Sequence, residues 1–223
     1  MKIGAAAEFL AERTLYGELL TTPKIVNMLG RVYRVYDGAG AATHVKYDFK
    51  GNLLESNRVL DANPTVTLDW SPIASLTTLI AIESTVTTSG LLGSDTFTTR
   101  STYDALNRVV SSTNVHDGSV TLPTYDESNF LKTVSVKIRG ASTATTFVRD
   151  ITYNARGQRV AIGYAGTSTA AFTTTYAYDP LTFRITGQVT TRVSPAGTLQ
   201  DFTLVYDPAG NIVEVVDAAD QSL

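Results

Sequence analysis

Polar and apolar residues alternate along much of the chain. In "LKTVSVKI", Val134, Val136 and Ile138 alternate with Thr133, Ser135 and Lys137. In "FTTTYAY", Phe172, Tyr176 and Tyr178 oppose Thr173, Thr175 and Ala177. In "FRITGQVTTRV", Phe183, Ile185, Val189 and Val193 fall on one face and Arg184, Thr186, Gln188, Thr190 and Arg192 on the other. A period of two marks a strand with one covered face and one wetter face. Threonine and tyrosine, frequent in "TVTTSG" and "FTTRSTY", favour the same state. The pattern predicts an all-β fold whose sheet has a packed face and a Thr-rich face.

The alternating runs are separated by a recurring word, Tyr-Asp-x-x-Gly. Asp is favoured at the first position of a type I turn, because its carboxylate accepts from backbone amides ahead of it. Gly, or next best Asn, is favoured at the fourth, where φ turns positive. Such a turn closes a β-hairpin with a bulge. The word reads Tyr36, Asp37 to Gly40; Tyr47, Asp48 to Gly51; Tyr103, Asp104 to Asn107; and Tyr125, Asp126 to Asn129. It continues as Tyr153, Asn154 to Gly157; Tyr178, Asp179 to Thr182; and Tyr206, Asp207 to Gly210. Asn27 to Gly30 fits without the Tyr. Thr182 departs from the pattern, because a β-branched residue disfavours positive φ, and predicts another geometry there. The tyrosines end strands and read as cross-strand packing that fixes register.

From Asp104 onward the words recur every 22 to 28 residues, the period of an array. A second set of turn signals falls between them, at Asp117-Gly118, Gly140, Gly166 and Pro195 to Gly197. The segments between should be strands of an antiparallel meander of hairpins in one curved sheet. Residues 31–223 form this repeat region, preceded by an N-terminal segment, 1–30, that reads as strand or short helix. Residues 61–99 lack the word. Asp48 and Asp104 lie 56 residues apart, about twice the later period, which predicts a degenerate repeat with a long loop around Pro64 to Pro72.

Composition excludes several functions. With 18 basic and 21 acidic residues the net charge is -3, which gives no electrostatic case for nucleic acid. Without cysteine there are no disulfides, thiolate metal sites or cysteine nucleophiles. No apolar run approaches the roughly 20 residues of a membrane helix. Glu8, Glu12 and Arg13 break the N-terminal apolar patch, so no secretory signal is expected.

The aspartates invite two further readings. A GTPase would need a phosphate loop that the chain lacks, and calcium needs about 6 to 8 converging oxygens where each turn offers one carboxylate, or two near Asp126-Glu127. His44 and His116 stand near no serine elbow. Trp70, beside Pro72, reads as loop packing rather than a sugar platform. No catalytic, cofactor or metal residue is expected; the turn residues named above are the candidate site.

The combined word Tyr-Asp-x-x-Gly-Asn/Arg-apolar resembles the YD repeat of RHS-repeat proteins. "GRVYRVYDGAG", "YDFKGNLL", "TYDALNRVV" and "DPLTFRIT" resemble the RHS segment of bacterial insecticidal toxin-complex C subunits, over about Glu12 to Asp217. The resemblance implies β-hairpin sheets that spiral into a hollow shell enclosing a toxic domain, completed by a partner subunit. It also implies a secreted or cell-surface location within a larger toxin assembly. The family's self-cleaving aspartates and toxin domain match no residue here, so neither activity carries over.

The expected role is therefore a structural wall segment of such a shell, with no catalysis of its own. Its expected partners are neighbouring RHS repeats or a partner shell subunit and the enclosed toxin domain. Neither nucleic acid nor membrane insertion is expected, and the isolated chain should self-associate through its sheet edges. The alternative is a YD-repeat binding module for carbohydrate or a cell-surface partner, since related repeats occur in adhesion proteins.

Overall fold

The computed structural model describes residues 8–165 and 171–219. The fold is an all-β antiparallel meander in which strands adjacent in sequence pair as hairpins. The chain divides into two compact units, Met1–Gly118 and Ser119–Leu223.

Unit 1 contains β1 (Arg13–Tyr16), β2 (Val32–Asp37), β3 (Gly40–Tyr47), β4 (Leu53–Asp61), β5 (Leu92–Tyr103) and β6 (Val109–Thr113). In the segment 1–30, the described residues form β1 and a 3-10 turn at Gly17–Leu19. Pairing explains the strand. β1 lies against β2, with Arg13 opposite Tyr36, and Leu15 turns into the core.

The 61–99 stretch is an insertion within one hairpin. β4 and β5 resume pairing at Asp61 and Leu92, and between them stands a helix, α1 (Leu79–Ser89). A loop runs over residues 62–70 ahead of this helix, which the sequence pattern did not predict. Thr78 caps the helix by accepting from the Ala81 N–H, and Gly90 ends it at φ 65°. Its residues have weak helix propensity, so the helix depends on burying Ile82 and Val86, one turn apart.

The insertion covers one face of the β1–β3 sheet. Leu15, Tyr36, Ala41, Leu68, Trp70, Ile73, Ile82 and Val86 form the core. Trp70 is fully buried, its ring centroid 4.9 Å from that of Tyr36, and its Nε1 donates to the Asp37 carbonyl at 3.0 Å. The Arg34 guanidinium bridges this layer, bonding Tyr36 Oη at 3.3 Å and Glu83 of α1 at 3.1 Å.

Unit 2 contains β7 (Val120–Tyr125), β8 (Leu131–Lys137), β9 (Thr145–Tyr153), β10 (Arg159–Tyr164), β11 (Phe172–Tyr178), β12 (Ile185–Arg192), β13 (Gly197–Tyr206) and β14 (Ile212–Asp217). Gly166, expected at a turn, lies outside the described residues. The row Ile151, Ile162, Thr174, Thr190 and Gln200 runs across five strands in register. Its polar end is linked by the Thr174 and Thr190 hydroxyls at 2.9 Å and by Thr190 donating to Gln200 Oε1 at 3.2 Å.

The expected division into one packed and one Thr-rich face fails at β11 and β12. Tyr176 stands opposite Gln188 and Thr175 opposite Val189, so the apolar sets of these two strands face opposite sides. The cause is the turn between them. Elsewhere the strand-ending tyrosine pairs six residues on, as Tyr153 with Arg159 and Tyr206 with Ile212, but Tyr178 pairs with Ile185. One extra residue inverts every side chain of β12.

Replacing Trp70 by alanine should destabilise unit 1 by about 3–5 kcal/mol, through the lost ring volume and the orphaned Asp37 carbonyl. Urea denaturation followed by far-ultraviolet circular dichroism measures this, and a loss under about 1 kcal/mol would contradict the assigned core.

Candidate functional site

The tyrosine–aspartate words build one recurrent hydrogen-bonded turn. The Asp48 N–H donates to the Asn52 carbonyl at 2.9 Å, and Asp48 Oδ1 accepts from the Asn52 N–H at 2.8 Å. The Gly51 N–H donates back to the Asp48 carbonyl at 3.2 Å. Asp104 makes the same set with Arg108 and Asn107, Asp126 with Phe130 and Asn129, Asn154 with Gln158 and Gly157, and Asp207 with Asn211 and Gly210. The fourth residue is left-handed each time, with φ from 63° at Asn107 to 100° at Gly210. Asn serves there because its short polar side chain tolerates the conformation.

In unit 1 these turns join β3 to β4 and β5 to β6, and in unit 2 they join β7 to β8, β9 to β10 and β13 to β14, while the Asp179 turn joins β11 to β12. Each runs from an odd strand to the next even one, so within each unit they share one edge of the sheet.

Three words depart from the pattern. Around Asp179 the left-handed residue is Phe183, at φ 61°, and Thr182 instead bonds Asp179 Oδ1 through both its N–H and its hydroxyl. Asn27 and Gly30 lie in the link from β1 to β2, where the Gly30 N–H donates to Glu18 Oε1 at 2.7 Å. Tyr36 and Asp37 lead into Gly40 across a two-residue loop on the opposite edge of unit 1. There the Asp37 carboxylate takes both Arg58 terminal nitrogens, at 2.6 and 2.8 Å, and Tyr36 is a core residue.

The tyrosines reach backwards. The hydroxyls of Tyr47, Tyr153 and Tyr178 donate to the carbonyls of Val32, Leu131 and Arg159, at 3.2, 2.8 and 2.8 Å. Each acceptor is the first residue of the preceding even strand. Tyr103, Tyr125 and Tyr206 end β5, β7 and β13 in equivalent places. His44 Nδ1 sits 2.7 Å from the Tyr47 hydroxyl.

A further set of residues, unassigned in the sequence reading, completes the device. At Arg31, Asn52, Phe130, Gln158 and Arg184, the residue just after the left-handed one reaches the turn of the next repeat. Arg31 lies over the Tyr47 ring at 5.1 Å, and Arg184 lies over Tyr206 at 5.5 Å. Phe130 stacks on Tyr153 at 4.7 Å. Asn52 donates to Asn107 Oδ1 at 2.9 Å, and Gln158 to the Phe183 carbonyl at 2.8 Å. The repeat word showed Asn or Arg at this position, but only the fold shows that it points to the following turn. A side chain added at Gly51 or Gly210 would collide with the Arg31 or Arg184 guanidinium, at 2.3 and 2.4 Å.

The carboxylates are held in their charged form. Hydrogen bonds from Arg58 depress the pKa of Asp37, the Asn211 side-chain amide followed by its N–H depresses that of Asp207, and the Thr182 N–H depresses that of Asp179. Their oxygens are engaged by the turn itself. Among the described residues no group of three or more His, Cys, Asp or Glu is placed to hold a metal ion. No helix among them is long and apolar enough to cross a membrane.

No family model matches the sequence. Toxin subunit YenC1 of Yersinia entomophaga is 30% identical over 134 residues, which is 58% of this chain and 13% of that protein. Toxin subunit YenC2 of the same organism is 24% identical over 220 residues, 96% of this chain and 21% of that protein. The crystal structure of TcdB2-TccC3 superposes with a TM-score of 0.78 at 26% identity, covering 95% of this chain and 9% of that one. In sequence and fold alike, the chain resembles the RHS-repeat segment of toxin-complex C subunits. The Photorhabdus luminescens Tc holotoxin pore contains a similar stretch, with a TM-score of 0.79 at 25% identity over 96% of this chain and 9% of that one. The RHS-like chain thus spans about an eighth to a fifth of the length of the curated relatives it matches.

Two outcomes follow from the turn geometry. Gly210→Val should destabilise by about 1 kcal/mol or more, because valine disfavours φ 100° and its side chain would displace Arg184. Equal melting temperatures would contradict the turn. Stability should also fall with acid. Carboxylates with depressed folded pKa values contribute fully above the usual aspartate range, near about 4, and lose that contribution as pH drops through their lower folded values. Denaturation midpoints measured at falling pH should decline below about pH 4, less steeply in Asp207→Asn. An identical acid slope in that variant would contradict the assigned charge role.

Proposed function

We propose that this chain is a wall segment of a shell that encloses the toxic part of a toxin complex, acting as a barrier that makes and breaks no bond. The single observation that carries this reading is the fold of unit 2 together with its likeness to the toxin assemblies. Its eight strands leave few side chains buried, and Phe147, Leu199, Val205, Val213 and Val215 are exposed. A sheet with apolar residues on both sides suits a layer that faces other protein on both sides. The Asp-capped turns give such a wall its fixed register. In this reading the partners are further RHS repeats, a companion shell subunit and an enclosed cargo, and the assembly is extracellular.

A second reading, carbohydrate binding, draws support from one groove in unit 2. There Tyr164, Phe172 and Tyr176 stand beside Gln188, Thr190 and Gln200, combining aromatic faces with amide and hydroxyl groups.

A chimera separates the two. This chain replaces the matching stretch of YenC2, and a protease-sensitive reporter is fused behind the repeats. The wall reading expects the reporter to resist added protease as it does in the parent, and cleavage as fast as in a subunit lacking the stretch would overturn it. Specific signals on a glycan array, lost in Tyr176→Ala, would instead favour the carbohydrate reading.

A further inference from the structure

The extra residue in the Asp179 turn changes what stands beside the aromatic side chains of β11. With the six-residue spacing of the Tyr153 and Tyr206 turns, Val189 and Val193 would lie opposite Tyr176 and Phe172, and this face of the two strands would be largely apolar. The longer turn instead sets Gln188 opposite Tyr176, Thr190 opposite Thr174 and Arg192 opposite Phe172. Gln200 of β13 follows, opposite Thr190. A strand of aromatic residues therefore lies beside amides and hydroxyls.

The aromatic residues form two platforms. Phe172 pairs with Tyr164 across β10 and β11, and Tyr176 stands four residues further along β11. Four residues of strand span about 13 Å, longer than one sugar ring. The floor between the platforms is satisfied: Thr174 is buried and its hydroxyl meets that of Thr190 at 2.9 Å. The walls are not. Gln200 Oε1 accepts from Thr190, but the Gln200 NH2, the whole Gln188 side-chain amide and the hydroxyls of Tyr164 and Tyr176 have no hydrogen-bond partner among the described residues. The groove measures about 530 Å3, within the roughly 300–1,000 Å3 of small-molecule sites. Its lining residues are uncharged. Arg159 and Arg192 lie at its margin, and Arg192 Nε donates to the Pro195 carbonyl at 2.9 Å. Stacking and hydrogen bonds are thus what the groove offers a ligand.

We propose that this groove binds an extended oligosaccharide of flat, equatorially linked rings, laid along β11 with one ring on Tyr176, another on the Tyr164–Phe172 pair, and its hydroxyls bonded by the Gln188 and Gln200 amides. An aromatic face accepts the C–H face of a pyranose, and a side-chain amide both donates and accepts, as a sugar hydroxyl does. Two platforms on one strand fit a straight chain, and β-1,4-linked glucose has that shape. The proposal rests on the carbohydrate reading above and adds to it the length of the ligand and the residues that recognise it. It stands apart from the wall reading.

Isothermal titration calorimetry of the full chain with cellohexaose and with glucose tests it, with circular dichroism melts confirming that each variant is folded. Cellohexaose should bind at least about tenfold more tightly than glucose, because only the longer ligand reaches both platforms. Tyr176→Ala and Tyr164→Ala, one for each platform, and Gln188→Leu should each weaken cellohexaose binding about tenfold. Thr175→Ala, on the opposite face of β11, should leave it unchanged. Equal affinity for the two sugars, or cellohexaose binding that survives Gln188→Leu intact, would overturn the proposal and leave the carbohydrate reading standing. So would glycan-array signals confined to sugars other than straight, equatorially linked chains. Absence of binding to every glycan would remove both.

Discussion

A turn aspartate must satisfy the amides it leaves behind when the chain reverses, and this demand sets the hairpin geometry. With Asp or Asn at the first position, one side-chain oxygen takes the N–H four residues on, and the backbone closes only if the fourth residue adopts positive φ. The loop length is then fixed, and with it the pairing of the flanking strands. Register inherits the turn: six residues separate the paired tyrosine from its partner at Tyr47 and Leu53, Tyr153 and Arg159, and Tyr206 and Ile212. Where Thr182 cannot take the left-handed position, Phe183 does, and the strand after it is inverted.

The turns are not independent corners. In several repeats the residue that leaves a turn packs on the next, as Arg31 on Tyr47 and Arg184 on Tyr206 by cation–π contact, and Phe130 on Tyr153 by stacking. The tyrosine hydroxyl returns the contact to the strand before it. Such nearest-neighbour coupling is the energetic signature of a repeat array, in which each unit is held by its neighbours. The units differ in what else supports them. Unit 1 adds a layer in which Trp70, Ile73 and Ile82 are almost wholly buried, whereas the fully buried large side chains of the described residues include none from unit 2.

Much of this was legible in the sequence. Strand identity followed from period-two alternation, and the turns from Asp or Asn at one position and Gly or Asn three later. The anomaly at Thr182 was legible as a different turn, but its consequence was not: a local φ preference does not announce a one-residue lengthening that flips β12 relative to β11. Helix α1 was hidden because Thr85, Val86, Thr87 and Thr88 have strand propensity, and only burial of Ile82 and Val86 decides their state. Tyr36 and Asp37 carry the same word as the others, yet they stand at an even strand's end, where the loop is shorter and Arg58 joins the Ala39 N–H on the Asp37 carboxylate. The coupling residues were visible as a recurring Asn or Arg, but their targets lie a repeat away and require the sheet.

The central claim, that each turn supports the one after it, is tested most directly by amide hydrogen exchange on Arg184→Ala. Local opening energies resolve individual turns. The account predicts faster exchange at Gly210 and Asn211 in the following turn, with Asn129 and Phe130 unchanged. Faster exchange confined to residues 179–184, or spread evenly over unit 2, would contradict it.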